Sequence, residues 1–299
     1  MDRRVFLTTM LQGSLAAALL PNSLSPLLIA QYGSLNHFGQ NYQQKMRIAA
    51  VGIGTFGAYC TQLMAYSVHN ITCYEVSSGV QSATTPDITV LNNAIQQADL
   101  LFLLTDLTEP LSAPMLTACC HAASAGSIQT VVIGPGTPDF QTHVPAACSS
   151  LPYPPYITVA DPSTARQLVA MVADLVNTDS FVGIDHGDVK AILRSGSHGV
   201  FACREAAGVE RGKLASIQAL EELQHRGIDR VKCRGAMACI YGNPTMAFDD
   251  YVQASAVLDE FFPHDIGFVF GSIVDERLGD VIKVAILAMK QEGELHGSY

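Results

Sequence analysis

Residues 99–105 read Asp-Leu-Leu-Phe-Leu-Leu-Thr. An apolar run without alternation has no wet face, so a strand made from it must be covered on both sides, as parallel strands are. The neighbouring segments supply the cover. Arg47-Ile48-Ala49-Ala50-Val51 reads as a second short apolar strand, followed by an amphipathic helix to about Val68. A strand over 71–76, a helix over 88–97, a helix over 114–125 and a strand over 131–133 follow. Strands and helices in alternation predict an α/β fold on a parallel sheet.

Between the first strand and its helix stands Gly52-Ile53-Gly54-Thr55-Phe56-Gly57, a G-x-G-x-x-G pattern in strand-turn-helix context. There the glycines let the backbone approach a phosphate, and the helix N–H groups point at it. Glu75 ends the next strand 18 residues after Gly57, where a dinucleotide fold keeps its ribose-binding acid, so a nicotinamide-dependent oxidoreductase is one candidate. The bland alternative is a tight strand-helix turn with no ligand. The loop over 105–113 lacks glycine and carries Asp106, Glu109 and Pro110. It brings negative charge where a phosphate-binding loop needs bare N–H groups, and proline has none to give.

The second half opens with a helical pattern over 163–176, capped by Ser163 or Asp161 and long enough to link two domains. Gly183-Ile184-Asp185-His186-Gly187-Asp188 leads into Val189, Ile192 and Leu193, placing both carboxylates at a helix start. Capping explains such a pair by itself, since Asp is a favoured cap and the helix dipole favours first-turn acids. A strand near 200–203, a helix over 212–226, a strand over 235–242, a helix over 248–262 and two β-rich runs over 266–274 and 281–289 complete the chain.

The 183–193 stretch resembles the synergy loop and following helix of the tubulin/FtsZ superfamily, specifically bacterial FtsZ, and the run from Gly267 to Ala288 is similar to that family's closing hairpin. The resemblance covers about residues 46–290. It implies a Rossmann-like GTPase domain over 46–160, a central helix over 161–180 and a smaller α+β activation domain over 181–299, behind an N-terminal segment and linker over 1–45. It also implies head-to-tail filaments of the protein with itself, with GTP or GDP held between subunits and Mg²⁺ beside it. Asp185 and Asp188 match the two catalytic acids of the synergy loop, although Gly183 replaces the family's Asn. Gly52, Gly54 and Gly57 match part of the first phosphate loop. Of the family's G-G-G-T-G-T-G loop, only the threonine survives, at Thr108. A triphosphate about 4 Å from Asp106 or Glu109 would meet a repulsion of roughly 4 kcal/mol per charge pair at an effective dielectric near 20. The expectation is therefore an FtsZ-like cytoskeletal protein with weak or lost GTP binding and hydrolysis.

Composition narrows the rivals. With 17 basic and 27 acidic residues the net charge is −10, and no basic stripe appears, which argues against nucleic acid. Eight cysteines lie in apolar segments without ligand spacing and read as reduced core residues, so no metal site is indicated and a cytoplasmic location is favoured. Arg3-Arg4 precede an apolar run ending at Leu20-Pro21, too short to span a bilayer. Three readings of this start stand open: a twin-arginine export signal, a membrane-surface anchor within residues 1–30, and a poorly ordered extension. Export would suit a non-catalytic binding protein. The chain stops at Tyr299 without the terminal peptide FtsZ uses to meet membrane adaptors, so any membrane contact is expected through residues 1–30.

Overall fold

The computed structural model describes residues 45–76, 88–110, 112–136, 154–178, 184–262 and 265–291. The N-terminal segment 1–44, Gly183, Cys148 and the C-terminal residues 292–299 lie outside this set. Nine strands form one sheet in the order β2-β1-β3-β4-β5-β6-β9-β7-β8. They are β1 (Ile48–Ile53), β2 (Ile71–Val76), β3 (Leu100–Thr105), β4 (Gln129–Pro135), β5 (Tyr156–Val159), β6 (His198–Ala207), β7 (Cys233–Gly242), β8 (Gly267–Val274) and β9 (Val281–Lys290). Eight run in one direction, and β9 lies antiparallel between β6 and β7.

The Leu-rich run behaves as its composition demands. Every residue of β3 is buried. Leu101 and Leu103 enter a cluster with Leu91, Ile95, Leu116 and Cys119 from α2 (Ile88–Gln96) and α3 (Ser112–Ala125). Leu100, Phe102 and Leu104 enter the opposite cluster with Cys60 and Met64 of α1 (Gly54–Ala65). Each such leucine contributes roughly 1.5–3 kcal/mol by leaving water.

One helix packs against both halves of the sheet. α4 (Pro162–Asn177) buries nine of its residues, eight of them in a cluster that takes Ile48 and Phe102 from the first half and Phe201, Met237 and Leu287 from the second. Its start is set by Asp161, whose Oδ1 accepts from Thr164 N at 2.9 Å, with Pro162 in the first turn where no N–H is needed. Its end is tied to the beginning of β1. Asn177 Oδ1 accepts from Met46 N at 2.8 Å, and Asn177 Nδ2 donates to Met46 O at 3.0 Å. The outer face of the second half is closed by α6 (Arg211–His225) and α7 (Phe248–Phe261), which bury Ala215, Ala219, Leu223, Ala254 and Leu258 against β6, β7 and β9.

The expected closing hairpin does not form. β8 and β9 are joined by a short turn, Glu276–Leu278, yet β7 lies between them. β9 is apolar and buried over most of its length, whereas β8 is exposed at both ends. The strand without a wet face takes the interior position and the other becomes the sheet edge. The strand order also departs from the dinucleotide-binding 3-2-1-4-5-6 arrangement, because β1 is flanked by β2 and β3. Seven cysteines are free among the described residues.

Asn177→Ala is expected to strand the Met46 N–H and C=O in a buried site, lowering unfolding free energy by about 2–3 kcal/mol in a urea titration.

Candidate functional site

The glycine loop sits where β1 ends and α1 begins. Gly54 has φ +73°, a left-handed conformation that glycine adopts without strain. A Cβ at Gly52 would collide with Gly57 O, and one at Gly57 with Leu104 O, so both glycines serve close packing of α1 on β1 and β3. The N–H groups of Thr55 and Phe56 face outward from the first turn of α1.

Those N–H groups already hold an anion. Glu109 reaches back from the loop after β3, and its carboxylate accepts from Thr55 N at 2.9 and 3.1 Å and from Phe56 N at 3.2 Å. The carboxylate also fills the space beside Gly54, where any side chain would collide with it. Negative charge at a helix N-terminus with N–H donors aimed at it is what a phosphate would supply there. The loop that carries Glu109 is closed on itself. Asp106 Oδ1 accepts from Thr108 N at 2.9 Å and from Thr108 Oγ1 at 2.7 Å, and Glu109 N donates to Asp106 O at 3.1 Å. Thr108 thus spends both donors on its own loop. Of the two acids expected to face a phosphate, Asp106 organises the turn and Glu109 accepts from the N–H groups at the start of α1. Glu75 lies on β2 level with Gly52 and is exposed, 3.5 Å from Gln62 Nε2.

The second group of predicted site residues stands elsewhere. Asp185 caps α5 (His186–Arg194), accepting from Gly187 N and from Asp188 N at 3.3 Å. Asp188 lies in the first turn, half-buried. Between them, His186 Nε2 is buried without a hydrogen-bond partner among the described residues. α5 is fixed by Val189, Ile192 and Leu193 in the core and by Arg194, whose Nε donates to Gln129 Oε1 at the start of β4. β1 follows Met46, held by Asn177 at the last turn of α4, and runs to the glycine loop at its far end, and α5 follows that last turn in sequence. Sixteen residues of helix separate them by about 24 Å. Within one chain the two aspartates and the glycine loop form no common site.

A third feature escaped the sequence reading. A cavity of about 160 Å³ opens between α4 and the β6-β9-β7 face, lined by Arg166, Asp174, Tyr241, Arg277 and Lys283 among others. Tyr241 Oη donates to Asp174 Oδ2 at 3.0 Å, and Lys283 Nζ stands 4.0 Å from the Tyr241 ring centroid. Burial raises the Asp174 carboxyl above its ordinary value, with the Tyr241 hydrogen bond and the Lys283 charge opposing. Burial likewise holds the Tyr241 phenol well up, so it remains a donor. The signal in the sequence was Asp174 on the same helical stripe as Arg166, Gln167 and Ala170. Desolvation holds the thiols in their protonated form: half-buried Cys203 at the cavity is pushed up to about 11 and buried Cys60 to about 12.

No protein-family model matches the chain. Among solved structures, an empty FtsZ dimer from M. jannaschii superposes with TM-score 0.67 at 14% identity, over 90% of this chain and 98% of that one. CetZ from Methanosaeta thermophila gives TM-score 0.58 at 14% identity over 83% and 87% of the two chains. A GTPγS-bound protofilament of CetZ2 from Haloferax volcanii gives 0.55 at 12% identity over 84% and 95%. The chain has the tubulin/FtsZ fold.

Two predictions follow from these geometries. Glu109→Ala leaves Thr55 N and Phe56 N to water and is expected to lower stability by about 1–2 kcal/mol in urea, with Glu109→Gln intermediate. Asp174 has a folded-state pKa above its unfolded value, so its contribution is present below the unfolded value, about 3.9. That contribution is lost as pH rises through the raised folded value. Asp174→Asn keeps an acceptor for Tyr241 without a charge to bury. Its stability gain over wild type is expected to be absent near the unfolded pKa and to grow toward neutral pH, read from urea midpoints across that range.

Proposed function

We propose that this protein is a cytoplasmic scaffold of the tubulin/FtsZ fold that associates with itself into filaments and does so without GTP. The observation that carries the reading is the Glu109 carboxylate on Thr55 N and Phe56 N. GTP and its Mg²⁺ do not fit the residues present. The N–H donors that would take a phosphate are occupied, Thr108 is committed to Asp106, and a second anion beside Glu109 would be repelled by several kcal/mol. At 1.4 kcal/mol per tenfold, that lowers nucleotide affinity by orders of magnitude.

Asp185 and Asp188 then serve as helix cap and first-turn acid of α5, on a face available for self-association. The separation of α5 from the glycine loop supports association between copies in which one end of a chain meets the other end of the next. If the protein meets a membrane, residues 1–30 are the segment for it, since Arg3 and Arg4 there precede an apolar run.

The test is GTP titration calorimetry with light scattering on the full chain. The expected result is scattering that needs no nucleotide and no saturable GTP binding. GTP-triggered scattering, with turnover lost in the Asp185→Ala plus Asp188→Ala variant, would overturn the nucleotide-free reading.

A further inference from the structure

The second half of the sheet presents two surfaces at opposite ends of β7, and their chemistry is complementary. At the end where α6 and α7 begin, a turn of three residues carries Val209 between Gly208 (φ +83°) and Glu210 (φ +57°). Glu210 is a non-glycine residue in the left-handed region, a conformation that costs free energy and persists only where the surroundings impose it. The turn leaves Val209 89% exposed. Phe248, at the first position of α7, is 44% exposed. The two helix starts are held together by Arg211, which bonds Asp250 Oδ2 at 2.8 and 3.1 Å and also reaches Asp280. This end carries the acids Glu210, Asp249, Asp250 and Asp280, of which Glu210 pairs with Lys213 at 3.1 Å and Asp280 with Arg211. One of them, Asp250, is largely covered by Arg211.

At the other end of β7 the pattern inverts. Asp229 Oδ1 accepts from Val231 N at 3.0 Å and Lys232 N at 2.7 Å, folding a turn that leaves Val231 84% exposed. Its neighbours are Arg230 and Lys232, and Arg234 is the next exposed residue. Lys232 Nζ also pairs with Asp229 Oδ2 at 3.2 Å, so this is a turn with an apolar tip whose exposed cations are Arg230, Lys232 and Arg234, in a chain whose net charge is −10. It adjoins the end of α5, since a side chain at Gly235 would press on Ser195 and Ile192. It therefore stands close to the helix that Asp185 caps.

β7 is ten residues long, so the two surfaces lie about 33 Å apart and cannot meet within one chain. A patch at one end that fits a different patch at the other defines a head-to-tail contact, and its repetition gives an open filament. An apolar centre with a charged rim is the ordinary anatomy of an interface, and opposite rims steer the encounter. Building on the self-association proposed above, we propose that the Arg230-Val231-Lys232 turn of one copy docks on the Val209/Phe248 patch of the next. Arg230, Lys232 and Arg234 then face Glu210, Asp249 and Asp280.

The experiment is pelleting of the full-length protein, with light scattering, as salt is raised from about 50 mM to about 500 mM, a range over which exposed charges become screened. Pelleting is expected to fall as salt rises. Arg230→Glu plus Lys232→Glu is expected to cut pelleting about tenfold, as is Glu210→Lys plus Asp249→Lys. An equimolar mixture of the two double variants restores opposite charges at every junction and is expected to pellet again, which a folding defect would not allow. Wild-type pelleting with both double variants behaving like wild type would overturn this contact and leave the scaffold reading standing. Loss in both variants without rescue on mixing would overturn the charge pairing. Absence of wild-type pelleting at any salt would overturn both.

Discussion

Burial of α4 is the constraint on which the rest depends. A helix with nine buried residues must be enclosed, and one β-sheet face can cover only one side of it. The enclosure comes from both halves of the sheet together with α1 and α5, so neither half completes its core without the helix. Its orientation is then set by polar contacts at fixed points. Asp161 closes the first turn, Asp174 receives the Tyr241 hydroxyl partway along, and Asn177 pairs with both backbone groups of Met46. These contacts fix where the glycine loop and α5 stand, at opposite ends of the same helix.

That placement makes the anion site at the start of α1 a local matter. A helix N-terminus that closes tightly on a strand through Gly52 and Gly57 presents N–H groups that need an acceptor. In this chain the acceptor is covalently attached. The Glu109 carboxylate is available at high effective concentration and needs no conformational supply from outside. A site of this kind is ordered without a ligand; on the nucleotide-free reading proposed above, a filament built on it would have no nucleotide state to read. Assembly would then answer to concentration, ionic strength and surface charge.

The charge distribution gives that idea a physical basis. A protein of net charge −10 repels its own copies, and association requires local departures from the average. Arg230, Lys232 and Arg234 are such a departure, and the acids at the end that carries Val209 and Phe248 are their counterpart.

Much of the fold was legible in the residues. The β3 run announced a strand without a wet face, and the alternating segments announced the parallel sheet. The 163–176 segment reads as a helix with Ser163 or Asp161 as its cap, and the 183–193 stretch as a loop entering a helix. These features are legible because burial and capping depend on neighbours in sequence. The acids at 106 and 109 put negative charge in the loop after β3, and that much follows from the residue types alone. Which of them would fold into its own turn and which would reach the N-terminus of α1 depended on the path of the chain after β3, a tertiary fact. The position of β9 between β6 and β7, the cavity around Asp174, and the exposure of Val209, Phe248 and Val231 were decided in the same way. Pairing partners and solvent access are set by segments distant in sequence. The amino-acid sequence determined what each segment must bury and where helices could start; the tertiary structure alone decided which carboxylate met which N–H group.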